Sequence, residues 1–203
     1  MNKEWNVISV LWSGGLDSTY LIQYLLEQNL KNIVWAYYVE IENNTEKVVM
    51  ELNAIKQPEM ILKKKYANRF QYCGVSCRFF INNISDNLVF YQMPLWIAAV
   101  ICTTSNKVKE IAVGYVMNDD AISYLLEFKK IVKAFNSISY EPYPKISFPL
   151  SKINKNTILD KIDPELKKHV VWCERPRGLN SCGKCYSCER SPLLKTHKRK
   201  KIL

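Results

Sequence analysis

The run Val7-Ile8-Ser9-Val10-Leu11-Trp12 stops at Ser13-Gly14-Gly15, and apolar residues at helical spacing follow at once: Leu16, Tyr20, Leu21, Tyr24 and Leu25. A β-branched apolar run of this kind is a buried strand, and the 3.6-residue pattern after it is a helix over about residues 17–28, with Asn29 at its C-cap. Asn32 to Val39 is again β-branched and aromatic, a second strand. Two strands joined by one helix form a βαβ unit, which requires a parallel sheet. The chain is therefore committed to an α/β fold with an open parallel sheet and helices on both faces.

The turn inside that unit carries chemistry. A glycine turn feeding a helix presents backbone N–H groups and a positive helix end to an anion, which suits phosphate. Adjacent glycines let the backbone approach without a Cβ in the way. Ser13, Ser18 and Thr19 add hydroxyl donors, while Asp17 would repel phosphates unless a cation lay between, so Mg²⁺ is expected there. The loop matches neither G-x-x-x-x-G-K-[ST] nor G-x-G-x-x-G. The string S-G-G-L-D-S-T over Ser13–Thr19 resembles the pyrophosphate loop of the ATP pyrophosphatases. That superfamily splits ATP between its α and β phosphates and adenylates an oxygen of a second substrate. In open α/β sheets ligands sit beyond the carboxyl ends of the strands, so residues 37–42 are expected beside the adenine. The candidate nucleotide-binding residues are Leu11, Ser13, Gly14, Gly15, Leu16, Asp17, Ser18, Thr19, Tyr38 and Gly114.

Further along, residues 45–66 are helical in pattern, with Pro58 expected to separate two pieces. The segment 69–90 gives no clear period and holds Cys73-Gly74-Val75-Ser76-Cys77, either two ordinary buried thiols or a redox or sulfur-carrier pair. Residues 93–102 read as a buried helix containing Trp96, and Glu110–Tyr115 as a buried strand passing through Gly114. Asn118-Asp119-Asp120 follow at that strand's carboxyl end, where the two carboxylates bind substrate N–H donors or a metal, or else cap a helix. Residues 124–135 form an amphipathic helix bearing Lys129, Lys130 and Lys133. Pro149-Leu150 then precedes Lys152 and Lys155. In enzymes with a pyrophosphate loop, a lysine in a P-L-x-x-x-x-K context reaches the ATP phosphates. The resemblance thus assigns Lys155 to the charge that develops on the leaving pyrophosphate, with Lys152 as second choice.

Four of the seven cysteines form C-x8-C-G-K-C-x2-C: Cys173, Cys182, Cys185 and Cys188. Two C-x2 spacings in series put three thiolates on one tight turn, with Gly183 in the bend and Cys173 reaching them across a short loop. Four thiolates around one ion is the structural Zn²⁺ arrangement, with every position filled by protein; an iron–sulfur cluster uses similar ligands. The pairing of S-G-G-L-D-S-T with this cluster, in this order, resembles the 7-cyano-7-deazaguanine synthases. That resemblance implies an adenine nucleotide alpha hydrolase-like domain over residues 1–165 and a zinc-binding element with a basic tail over 166–203. It also implies ATP, Mg²⁺ and Zn²⁺ as cofactors, a homodimer, and ligase activity in the queuosine and 7-deazaguanine pathway: 7-carboxy-7-deazaguanine, ammonia and ATP yield the 7-nitrile. Asp17 and Lys155 would be catalytic, and Trp96, Asp119 and Asp120 would face the substrate. The chain departs from the family on the substrate side. Tyr38-Val39-Glu40-Ile41-Glu42 stands for a Y-G-Q-like segment, Gln92-Met93-Pro94-Leu95-Trp96 lacks the family's Arg and Asn, and residues 124–127 replace a Y-P-D-C-R-like stretch. Nucleotide activation is thus expected to be kept, with room for a changed second substrate. The alternatives are a deazaguanine conjugated to a protein or nucleic acid, tRNA thiolation, or a nucleotide-binding homologue without turnover.

Composition sets the outer limits. The 203 residues are 48% hydrophobic, enough for one substantial core. No apolar run of 18 residues occurs, so no transmembrane helix is expected. With no signal-peptide pattern at the start, a cytoplasmic protein follows as an expectation. A formal charge of +10 favours anionic partners, including a nucleic acid or protein acceptor. Lys195, Lys198, Arg199, Lys200 and Lys201 concentrate part of it in the last nine residues, as a tail for solubility or nucleic-acid contact.

Overall fold

In the computed structural model, β1 (Asn6–Leu11) is the middle of a five-stranded sheet. The structure describes residues 5–42, 44–80, 92–103 and 107–190; the basic tail, with His197, lies outside them. From β1 the chain runs through α1 (Leu16–Gln28) to β2 (Asn32–Glu42), then through α2 (Thr45–Tyr66) to β3 (Phe70–Phe80). It returns through α3 (Gln92–Thr103) to β4 (Val108–Ala112) on the other side of β1, and through α4 (Leu125–Asn136) to β5 (Lys145–Ser147). The order is β3-β2-β1-β4-β5, and every pairing is parallel. The order reverses between β1 and β4, so a crevice opens beyond their carboxyl ends, where open α/β sheets hold ligands.

Strand alternation sends side chains to two cores. Ile8, Val10, Trp12, Val34, Ala36 and Tyr38 pack with α1, α2 and the later residues Leu150, Ile158 and Leu166. Leu11, Val39, Ile41, Ile111 and Val113 pack on the opposite face with Met93, Ile97 and Val100 of α3 and Phe128 and Val132 of α4. Burying both faces is why β1 reads as an almost unbroken apolar run. The chain closes with α5 (Lys155–Lys161), α6 (Pro164–Lys167) and α7 (Tyr186–Arg190).

Three local expectations differ from the structure. Pro58 does not divide α2; the helix is continuous for 22 residues with the proline ring buried. The hydrogen bond a proline forfeits is offset by burial of Ala54, Ile55 and Leu62 around it. The uncertain segment after Arg69 begins as an eleven-residue strand, β3, whose period is broken by two register shifts against β2, one of them near Gly74 at φ +81°. Finally, β4 ends at Ala112, two residues before Gly114; Val113 N still donates to Ser147 O at 3.0 Å, and residues 114–116 then run along the crevice.

Candidate nucleotide site and cysteine cage

Gly15 caps α1 without a side-chain hydrogen bond, and the first helical bond is from Thr19 N to Gly15 O at 3.0 Å. The N–H groups of the first turn therefore point out of the helix end, as an anion requires. Gly14 makes the turn at φ +71°, and a Cβ there would lie 3.0 Å from both Ala54 Cβ and the Glu51 carbonyl oxygen. The loop is thus pressed onto α2 as well as bent. The hydroxyls of Ser13 and Ser18 lie 3.3 Å apart across its mouth. A Cβ on Gly15 would crowd the pair from one side, 3.3 Å from Ser13 Oγ, 3.4 Å from the Val171 carbonyl oxygen and 3.9 Å from Ser18 Oγ. Gly114 has a packing role: a Cβ there would meet the Asp17 carbonyl and Ser18 Cα at 3.2 Å, so its absence lets the chain beyond β4 close on α1.

Asp17 and Lys155, 138 residues apart, meet here: Lys155 Nζ lies 3.2 Å from Asp17 Oδ2. Burial still holds the Asp17 carboxyl above its ordinary range, opposed by the Lys155 ammonium and reinforced by the nearby Asp119 carboxylate. Its second oxygen, Oδ1, is enclosed and has no hydrogen-bond partner among the described residues. An enclosed, unpartnered carboxylate oxygen with a second carboxylate lining the same cleft suits a hard divalent cation such as Mg²⁺.

These groups open into a cleft of about 770 Å³, within the range of small-molecule sites. Of the residues named from sequence, Leu11, Ser13, Gly15, Leu16, Asp17, Ser18, Tyr38, Trp96, Gly114, Asp119, Asp120, Lys155 and Cys173 line it. Thr19 differs from expectation: it is fully buried and its hydroxyl accepts from Trp12 Nε1 at 2.9 Å, so it braces the loop from behind. Lys152 is exposed and does not line the cleft. Asp119 caps the turn that follows, accepting from Ala121 N at 3.4 Å, and also lines the cleft. Cys73 and Cys77 are half-buried on β3, away from the cleft lining, and burial pushes the Cys73 thiol up, away from the nucleophilic thiolate.

One group in the cleft escaped sequence reasoning. Tyr38 Oη donates to Glu51 Oε2 at 2.8 Å, Lys47 Nζ lies 4.0 Å from Glu51 Oε1, and Lys47 also pairs with Glu174. Burial raises the Glu51 carboxyl above its usual range, against the pull of Lys47. Lys47 and Glu51 are one helical turn apart, a spacing at which side chains meet on a helix surface, and the fold turns both into the cleft.

The four cysteines converge. Their sulfurs all lie within 4.8 Å of one another, with Cys173–Cys185 at 3.9 Å and Cys182–Cys188 at 4.0 Å. The backbone N–H of Lys184, with that of Cys185, pulls the Cys182 thiol down to about 6. Burial pushes Cys188 up to about 12. Four convergent sulfurs, several with N–H donors on them, fit a thiophilic metal.

The sequence matches no protein-family model and no curated protein. The structure is similar to that of the U34-tRNA thiolase NcsA from Methanococcus maripaludis, solved with its [4Fe-4S] cluster, with a TM-score of 0.50 and 15% identity. The match covers 97% of this chain and 68% of that one. At that identity the likeness is one of fold alone, an α/β fold, and it does not single out the 7-cyano-7-deazaguanine synthases.

Proposed function

We propose that the protein is an ATP-dependent adenylating enzyme that converts 7-carboxy-7-deazaguanine and ammonia to 7-cyano-7-deazaguanine. The observation that carries the adenylating part is the Asp17–Lys155 contact at the mouth of the S-G-G-L-D-S-T loop. It brings the cation site and the phosphate-seeking ammonium onto one helix N-terminus, as cleavage between the α and β phosphates requires. ATP phosphates lie over Gly15 and the first turn of α1, with the Ser13 and Ser18 hydroxyls as donors. Lys155 faces the departing pyrophosphate and balances its charge. A magnesium ion held by Asp17 would screen the phosphates from the carboxylate. The substrate carboxylate attacks the α-phosphorus, the bond to pyrophosphate breaks, and an acyl adenylate results. Ammonia displaces AMP to give the amide, and a second activation removes the amide oxygen. Positioning and charge stabilisation do the work.

The acceptor side supports a planar heterocycle. Trp96 and Tyr115 give the cleft aromatic walls, and Asp119 and Asp120 offer acceptors to ring N–H and amino groups. Thiolation through a protein-borne thiol would need that thiol in the cleft. Cys173 is the cysteine that lines it, and it belongs to the cage.

The cage spacing supports a single Zn²⁺. Zinc–sulfur bonds of about 2.3 Å place tetrahedral sulfurs about 3.8 Å apart, close to the 3.9 and 4.0 Å found. A four-iron cubane puts a separate iron behind each ligand and spreads the sulfurs more widely. The zinc would order the chain without activating water. The test is incubation with ATP, Mg²⁺, ammonia and the deazaguanine acid, with mass spectrometry for the nitrile; the same protein should carry one zinc per chain. ATP turnover indifferent to the acid would remove this substrate.

A further inference from the structure

The cysteine cage does not hang from the nucleotide site; it supplies one of its walls. Val171 N donates to Gly14 O at 3.2 Å, and Val171 bridges to Gly15 as a parallel β-pair. Two residues on, Cys173 enters the cage. The next residue, Glu174, pairs through its carboxylate with Lys47, and its carbonyl accepts from Asn44 Nδ2 at 3.3 Å. Asn44 in turn caps α2 by accepting from Lys47 N at 3.2 Å. The segment flanking Cys173 thus grips both the phosphate loop and the start of α2. Between the two grips stands Trp172. It lines the cleft, and its Nε1 is enclosed with no hydrogen-bond partner among the described residues, a donor awaiting an acceptor.

Regular structure in this wall is sparse. From residue 170 to 190 it consists of the Val171–Gly15 bridge, an isolated bridge between Arg177 and Asn180, and the five-residue α7. Its apolar centre is Met50 with the cage members Cys173 and Cys188. Where so few contacts order a segment, metal binding supplies its folding energy. We propose that metal loading of the cage and nucleotide binding in the cleft strengthen each other, with Val171 acting on Gly14 and Glu174 acting on Lys47 as the positioning contacts. The inference rests on reading the cleft as a nucleotide site. A nucleotide that touches Trp172 and the loop binds better when the wall is ordered, and linkage makes the effect reciprocal.

The experiment measures both directions on the full chain. The Kd of α,β-methylene-ATP with Mg²⁺ is determined by calorimetry for the zinc-loaded and zinc-depleted protein. The rate of zinc release to a chromophoric chelator is determined with and without that nucleotide, corrected for the nucleotide's own affinity for zinc. Loading should tighten nucleotide binding at least about fivefold, the lower end of ordinary coupling, and nucleotide should slow zinc release. The second arm needs no stable zinc-free protein. Glu174→Gln keeps the backbone N–H that serves Cys185 and removes the charge facing Lys47, so it should retain one zinc per chain while the coupling shrinks. Equal nucleotide affinity in both metal states, zinc release unmoved by nucleotide, or coupling undiminished in Glu174→Gln overturns the proposal. Nucleotide binding in neither metal state overturns the reading of the cleft as well.

Discussion

Substituting the two loop glycines separates what each does. In Gly14→Ala the new methyl would start 3.0 Å from Ala54 Cβ and the Glu51 carbonyl oxygen and 3.3 Å from Ile55 Cγ1. Carbon atoms settle at about 3.5–4.0 Å, so α2 must retreat by about half an ångström or more. Overpacking of this kind costs about 1–3 kcal/mol. The φ of +71° adds about 1–2 kcal/mol for a residue with a Cβ. Together these give about 3 kcal/mol, or a fall in Tm of about 6–12 °C for a chain of this size. Gly74→Ala is the comparison: its φ is +81°, but a Cβ there meets nothing within 4 Å, so only the backbone cost of about 1–2 kcal/mol applies. Gly15→Ala inverts the pattern. Its φ of −73° suits alanine, so stability should move by less than about 1 kcal/mol. The methyl nevertheless crowds the loop beside the Ser13 hydroxyl, 3.3 Å from it, and nucleotide affinity should fall at least about tenfold, or 1.4 kcal/mol. Urea and thermal melts by circular dichroism, with calorimetric titration of nucleotide, read both effects. Gly14→Ala no less stable than Gly74→Ala would refute the packing argument. Gly15→Ala with parental nucleotide affinity would refute the phosphate cradle.

Other perturbations probe the charges and the cage. Because burial raises the Asp17 carboxyl above its ordinary 3.8, the folded chain holds that proton more tightly than the unfolded one, and ionised Asp17 costs stability. The cost is absent below pH 3.8, grows as pH rises toward the folded value, and is constant above it. In magnesium-free buffer Asp17→Asn should therefore gain stability relative to the parent across that window, and with Mg²⁺ present it should lose the parent's ATP turnover; a less stable variant at pH 7 would show that Lys155 outweighs burial. Lys155→Met leaves the enclosed Asp17 carboxylate without its counter-charge, so it should melt below the parent at pH 7 and lose about 10²–10³-fold in turnover; unchanged turnover would place the phosphates elsewhere. Cys188→Ser removes a fully buried cage ligand, so zinc content by atomic emission should fall and the melting temperature with it. The loaded parent should be colourless, whereas broad visible absorption would indicate an iron–sulfur cluster.

The parts of the fold legible in the sequence are those where neighbouring residues decide the outcome. The run Val7–Trp12, the turn at Gly14 and the helix from Leu16 appear where local pattern puts them. So do β2 and α4, whose periods are uninterrupted. The edge strand β3 was hidden because Gly74 and the register shifts break its alternation and no second sheet face is fully buried along it. Pro58 was misleading because packing around α2 outweighs the hydrogen bond it forfeits. At the site, local pattern pointed to the loop and the cysteines, but the approach of Lys155 to Asp17 is a tertiary event that only the family likeness anticipated. Glu174 carried no local signal for its pairing with Lys47, because that contact is created by the return of the chain past Val171.

The most direct test of the account is the stoichiometry of ATP consumption against product. Zinc-loaded protein with ATP, Mg²⁺ and ammonia should release AMP and pyrophosphate only when 7-carboxy-7-deazaguanine is added, with two ATP consumed for each nitrile seen by mass spectrometry. Release of ADP and phosphate, or of AMP at a rate that ignores the acid, would contradict it.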